Sequence, residues 1–274
     1  MISWFHSYYP SPTLLSLGPV NIHWYGLLVV LGFLAGLAVV VYLFKKYSLP
    51  VNQAYDLFFY LIIFGLIGAR IYYVLYSWEY YSQHLSEVIK VWRGGLAIHG
   101  AIIAALVTLY FYCRQKKYSF GLLTDIIATA VPLSLAIGRW GNYFNQELFG
   151  RPTNLPWGIG ISWFNRPAAY QNFEYFHPTF LYESLLDLIV FGVLMLLHRR
   201  RLGRTEDKRW VSRGNITLSF LLLYSVVRFN MEFLRLDSSP VVFGVRWAQL
   251  VSAIIFVGIL VFWLVQFFRN KKTT

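Results

Sequence analysis

Long apolar runs separated by short polar breaks set the pattern of this chain. Residues 22–44 and 247–268 contain no Lys, Arg, Asp or Glu, and apolar runs also cover 57–76 (carrying Arg70), 96–113, 120–138, 179–197 and 215–234. Crossing a hydrocarbon core of ~30 Å takes about 20 helical residues. Lipid offers the backbone no hydrogen bonds, so runs of this length must satisfy their own and form helices. Barrel strands would instead show alternating segments of about 10 residues, and the sequence has none. The pattern predicts an all-α polytopic integral membrane protein. Seven transmembrane helices are expected, in a single transmembrane domain over residues 1–274.

The polar breaks are informative too. In 77–94, Leu85, Val88, Ile89 and Trp92 recur at helical spacing around Ser86, Glu87 and Lys90. That spacing predicts a short helix lying in the interface. Residues 139–176 hold Pro152, Pro156 and Pro167, and the stretch PWGIGISW predicts a brief extended ribbon. These two loops are expected to form a small extracytoplasmic head. In the first span, Gly32 and Gly36 make a small-xxx-small pair suited to close helix packing.

Composition excludes an ordinary soluble domain. Charged residues are 13% of the chain, hydrophobic residues 57% and aromatic residues 19%. Soluble proteins carry roughly 25% charged residues, so a solvated surface of normal make-up cannot be built from this chain. Basic residues then orient it. Lys45, Lys46, Arg114, Lys116, Lys117, the seven between Arg199 and Arg213, and Arg269, Lys271 and Lys272 fall on one side, 15 of the 24. The positive-inside rule puts that side and the C-terminus in the cytoplasm, and the N-terminus outside. The net charge of +12 is therefore explained more economically by topology beside anionic lipid than by nucleic-acid binding. Residues 1–21 have no Lys or Arg and no cleavable apolar core, so no removable signal peptide is expected there. One cysteine, Cys113, leaves no internal disulfide and no multi-cysteine metal site; a small buried role is expected for it.

Ionisable residues within spans cost ~2.5–3.5 kcal/mol each on insertion scales, so their positions point to chemistry. His99, Arg139, Glu147, His177, Glu183, Arg228, Glu232 and Arg235, with Tyr25, all fall toward the outer leaflet and come from at least five spans. Two readings stand side by side. Arg228–Glu232 and Glu232–Arg235 have the i,i+4 and i,i+3 spacings of a self-neutralising helix face, and His99 could be a packing residue. Alternatively, three arginines gather near one leaflet, and a guanidinium fork, which cannot shed its charge, binds phosphate bidentately. An outward arginine-lined cavity suits a phospholipid headgroup, with His99 as a general base. The chain shows no serine elbow, H-E-x-x-H or metal-ligand spacing, which removes the commoner hydrolase motifs. A transporter for an anionic ligand would need ionisable groups in the inner halves, where only Asp125 and Asp187 occur. A phospholipase is a third possibility.

The stretch GRWGNYFNQELFG at 138–150 resembles the signature of the bacterial prolipoprotein diacylglyceryl transferases, G-R-x-[GA]-N-F-x-N-x-E-x-x-G. Gly138, Arg139, Gly141, Asn142, Asn145, Glu147 and Gly150 match, and Tyr143 replaces Phe. IHWYG at 22–26, GARIYYVLY at 68–76, GGLAIHGA at 94–101, HPTFLYE at 177–183 and RFNMEFLR at 228–235 extend the likeness over almost the whole chain. The resemblance implies transfer of the diacylglyceryl group of phosphatidylglycerol to the lipobox cysteine of a prolipoprotein. A thioether forms and glycerol phosphate leaves, with no cofactor or metal. It further implies that Arg139 and Arg228 clamp phosphate, that His99 is the thiol base, and that Asn142, Glu147 and Gly150 shape the site, Glu147 by orienting an arginine. Tyr25 and Tyr224 would bond the lipid, and Glu232 and Arg235 would support the site or frame a lateral exit. The expected setting is a monomer in the bacterial inner membrane, its active site facing the extracytoplasmic leaflet.

Overall fold

A computed structural model describes residues 6, 8–18, 20–203, 213–237 and 239–271. Of the basic residues that orient the chain, Arg204, Lys208, Arg209 and Lys272 lie outside them, as does most of the stretch before Tyr8. Among the described residues are seven long helices: α1 (Trp24–Lys46), α2 (Val51–Tyr76), α3 (Ile98–Lys116), α4 (Phe120–Phe144), α5 (Thr179–Gly203), α6 (Asn215–Met231) and α7 (Trp247–Lys271). The apolar runs begin and end within a few residues of these helices, α2 starting earlier and α4 and α5 ending later than expected. Five of the seven (α1, α2, α4, α5 and α7) are long and apolar enough to cross a membrane. The chain is thus a mostly helical, polytopic membrane protein. Helix α6 has 17 residues. At ~1.5 Å of rise per residue it is about 26 Å long, short of a hydrocarbon core of ~30 Å.

Cα proximity divides the chain into two compact units. One comprises residues 1–36, 128–211 and 215–274, the other 37–127 and 212–214. Within the first, an unexpected hairpin, strands β1 (Thr13–Leu17) and β2 (Val20–His23), precedes α1. Gly18 at its turn has φ +59°, a conformation glycine adopts without Cβ strain. Gly32 and Gly36 of α1 lie against α4. A Cβ on Gly32 would come within 3.0 Å of the Ser134 carbonyl oxygen, and one on Gly36 within 2.6 Å of the Ser134 Oγ. That hydroxyl donates to the Gly32 carbonyl at 2.8 Å, so the small-residue pair supports close helix packing. A buried cluster of Tyr143, Phe149, Ile159, Ile161, Phe176 and Phe180 joins the end of α4 to the loops beyond it. Within it β3 (Ile159–Gly160) pairs antiparallel with β4 (Tyr175–Phe176), which places the expected ribbon in PWGIGISW.

In the second unit α2 packs on α3 through small residues: Gly100 sits against Gly68 and the Tyr72 Cβ. The segment before α3 departs from the expected interfacial helix. It forms one α-turn at Trp78–Tyr81 and 3₁₀ turns at Leu85–Glu87 and Val91–Arg93. Its carbonyls are engaged elsewhere, because buried Arg70 donates to the carbonyls of Glu87 (2.6 Å), Val88 (2.7 Å), Gly94 (2.7 Å) and Gly95 (2.9 Å). A continuous helix would need those carbonyls for its own ladder. Near the other end of this unit, the Gly214 N–H donates to the buried carboxylate of Asp125 at 2.8 Å.

Candidate active site

Arg139 lies in the last two turns of α4, which runs through half of the signature before ending at Phe144. The chain then reverses through two non-glycine residues with positive φ, Gln146 (+51°) and Leu148 (+54°). Such conformations are costly for side chains with a Cβ and need local compensation. Gln146 supplies it: buried, it donates to the Pro10 carbonyl at 2.9 Å and accepts from the Ser162 N–H at 2.7 Å and Asn165 at 3.2 Å. Glu147 accepts from Asn142 (2.9 Å) and Asn145 (3.3 Å), locking the turn onto the helix end. The Gly150 N–H bonds the His177 carbonyl at 2.9 Å, and a Cβ on Gly150 would lie 2.8 Å from the His177 Cβ and 2.9 Å from the Thr179 Cγ2. Signature residues Asn142, Glu147 and Gly150 therefore build the turn. The expected task of Glu147, holding an arginine, falls to Glu183.

Glu183, on the first turns of α5 and 4% exposed, pairs with Arg139 at 2.6 Å through one oxygen and with Arg235 at 3.2 Å through the other. Arg235 also binds Asp237 at 2.7 Å. Glu232 is 1% exposed and bridges Arg228 at 3.0 Å, one helical turn back, and Arg246 at 2.8 Å. Arg246 further donates to the backbone carbonyls of Arg235 (2.7 Å) and Asp237 (2.5 Å). Self-neutralisation along one helix face thus holds for Arg228 and Glu232, while Arg235 turns to Glu183 and Asp237. Four arginines and three carboxylates are knitted into one network. Its members come from α4, α5, α6, the segment after α6, and the hairpin of β5 (Val241–Val242) and β6 (Val245–Arg246).

A narrow pocket opens into this network, lined by Arg139, Glu183, Asp187, Tyr224, Val227, Arg228 and Met231. The structure so brings together Arg139, Arg228 and Tyr224, with Glu232 and Arg235 behind them. Tyr25, exposed at the start of α1, lies with its ring against Gly141: a Cβ there would be 2.6 Å from the ring. His99 belongs to the other unit, exposed on the first turn of α3, its ring centroid 5.9 Å from that of Tyr72. Outside the spans, burial lowers the His177 pKa below the ordinary histidine value. Its Nδ1 is 3.2 Å from the Tyr182 hydroxyl, which accepts the Trp157 indole N–H at 2.7 Å. Among the described residues, no three His, Cys, Asp or Glu side chains are grouped as metal ligands.

Sequence reasoning missed three participants. Arg246 and Asp237 carry no local signal in the sequence, because nothing there shows that the loop after α6 folds back on it. Asp187 read only as an isolated intramembrane acid. Its i+4 spacing from Glu183 on α5 already put both on one helix face.

The arrangement defines a class: a polytopic membrane protein with a buried arginine–carboxylate network and a narrow cleft that Arg139 and Arg228 share. Comparison with known proteins makes the family explicit. Residues 12–265 match the family model described as prolipoprotein diacylglyceryl transferase. Proteins named phosphatidylglycerol–prolipoprotein diacylglyceryl transferase are similar over most of their length. That of Trichormus variabilis is 44% identical over 244 residues, 89% of this chain and 85% of the relative. That of Acaryochloris marina is 42% identical over 268 residues (97% and 94%), and that of Thermotoga maritima 42% over 241 residues (87% and 79%). This chain belongs to the prolipoprotein diacylglyceryl transferase family.

Proposed function

We propose that this protein transfers the diacylglyceryl group of phosphatidylglycerol to the lipobox cysteine of prolipoproteins, the first step of lipoprotein maturation. Family membership supports the reaction, and one observation carries its siting: signature residue Arg139 shares a pocket with Arg228. Sulfur attacks an sp³ glyceryl carbon, the S–C bond forms, and the C–O bond breaks with its electron pair passing to the phosphate. Arg139 and Arg228 hold the phosphodiester and stabilise the charge that grows on it as glycerol phosphate departs. Donors fixed in advance of the reaction are worth most where water is scarce. Glu183 and Glu232 keep the two guanidiniums aimed, and Tyr224 and Tyr25 bond the lipid. A thiol of pKa ~8.5 is only a few per cent ionised near neutrality, so its proton needs an acceptor. The resemblance gives that role to His99, on the first turn of α3.

The protein acts as a monomer and single membrane domain, with all seven helices as spans, the N-terminus outside and the C-terminus in the cytoplasm. The active site faces the extracytoplasmic leaflet of the bacterial inner membrane. The distribution of Lys and Arg supports this orientation. Proteoliposomes holding the protein, labelled phosphatidylglycerol and a lipobox peptide are expected to yield a thioether-linked diacylglyceryl peptide and glycerol phosphate in equal amounts. Free diacylglycerol or phosphatidate without thioether would mean a phospholipase instead.

A further inference from the structure

One carboxyl lining the arginine pocket has neither a hydrogen bond nor an ion pair among the described residues, whereas Glu183 and Glu232 are held by ion pairs. Asp187 follows Glu183 by one turn of α5 and is 1% exposed, yet both of its side-chain oxygens lack such a bond. Burying a carboxyl in that condition is costly in either protonation state, and a native structure that keeps such a group calls for a compensating use. The other acids of the network are all committed: Glu183 to Arg139 and Arg235, Glu232 to Arg228 and Arg246, Asp237 to Arg235. Asp187 nonetheless lines the same pocket as Arg139, Tyr224 and Arg228.

Charge suggests the use. Four arginines against three paired carboxylates leave one positive charge, which a single phosphodiester would balance. A carboxylate at Asp187 would then add an uncompensated negative charge beside the bound phosphate, whereas a carboxylic acid would donate its O–H to a phosphate oxygen. Asp187 also lies about 6 Å further along the helix axis than Glu183. In the orientation proposed above, α5 enters the bilayer from the outer side, so Asp187 is the deeper of the two, toward the glyceryl carbon and acyl chains of a lipid whose phosphate sits at the arginines.

We propose that Asp187 is a further catalytic residue, meeting the lipid phosphate as a carboxylic acid and passing its proton to the ester oxygen that leaves the glyceryl carbon. This rests on the transferase reading. The thiol proton goes to a base, the sulfur electron pair forms the S–C bond, and the C–O pair remains on phosphate oxygen. That oxygen takes the Asp187 proton, and the proton given up by the thiol restores the acid. The net change moves one proton from thiol to glycerol phosphate, with no redox step and no co-reactant.

The test uses reconstituted full-length enzyme and two lipids: phosphatidylglycerol, and its analogue with sulfur as the bridging atom between glyceryl carbon and phosphorus. A thiophosphate leaves without needing a proton, so it separates proton delivery from structural support. Asp187→Asn is expected to lower kcat on the natural lipid by about 10²-fold or more, the usual scale of a general acid, with KM within about threefold. On the sulfur analogue its rate is expected to come within about threefold of the wild-type rate. Asp187→Glu, which keeps an acid, is expected to retain at least about a tenth of wild-type turnover on the natural lipid. Equal losses for the Asn variant on both lipids, turnover near wild type on the natural one, or a Glu variant as impaired as the Asn variant would each overturn the proposal. Failure of the wild-type protein to form thioether would instead overturn the transferase reading.

Discussion

At the scale of single residues, Glu183 is the pivot of the site, because one buried carboxylate holds two arginines. Arginine does not shed its charge, so removing the acid leaves buried positive charge uncompensated. Glu183→Gln is expected to destabilise the protein by about 3–5 kcal/mol, the cost of breaking a buried pair from one side. Thermal unfolding in detergent checks this, and a change below about 1 kcal/mol would put the pairs in the range of exposed ones, which contribute little. Arg139 carries a different expectation. Arg139→Lys keeps the charge but loses the planar fork, and transfer is expected to fall as far as in Arg139→Ala. Near-normal transfer by the Lys variant would show that a point charge suffices. Asp237 adds a pH signature. Burial alone would raise its pKa, but the hydrogen bond from Arg235 and the charges of Arg235 and Arg246 hold it below the usual carboxylate value. A lowered pKa in the folded state contributes stability that is present above the unfolded-state value of ~3.9 and is lost as pH falls through the folded value. The acid limb of the stability profile should therefore be shallower in Asp237→Asn, measured by unfolding at stepped pH.

At the scale of elements, the helices were legible and the connections were not. Apolar runs mark α1 to α7 to within a few residues because lipid and packed interiors both demand backbone self-satisfaction over a defined length. The segment at 77–94 shows helical spacing, yet its carbonyls go to Arg70, a long-range contact that periodicity does not carry. Arg70→Met should release this segment: hydrogen exchange over 85–95 is expected to accelerate, while α2 itself stays protected. The hairpin before α1 was missed because five mostly apolar residues with one serine, TLLSL, do not alternate strictly. The turn after α4 was only half readable. Its asparagines announced a helix end, but the positive φ of Gln146 and Leu148 depends on partners near residues 10 and 162.

For the whole molecule, some of the ionisable residues that the sequence sets toward one side meet in one network, and others, His99, Glu147 and His177, lie outside its pocket. Arg139, Tyr224 and Arg228 do share it, and Glu232 and Arg235 do stand behind them. The partners of each charge could not be read from sequence, since pairings among four arginines and four carboxyls depend on how α4, α5, α6 and the β5–β6 hairpin pack. The resemblance supplied the reaction; the fold supplied Arg246, Asp237 and Asp187, and gave Glu183 its two arginine partners. The central claim is that this network holds the lipid phosphate. The most direct measurement is an experimental structure of the protein with phosphatidylglycerol bound. Phosphate oxygens are predicted to lie about 2.7–2.9 Å from guanidinium nitrogens of both Arg139 and Arg228. A headgroup bound away from both arginines, with the pocket left closed, would contradict it.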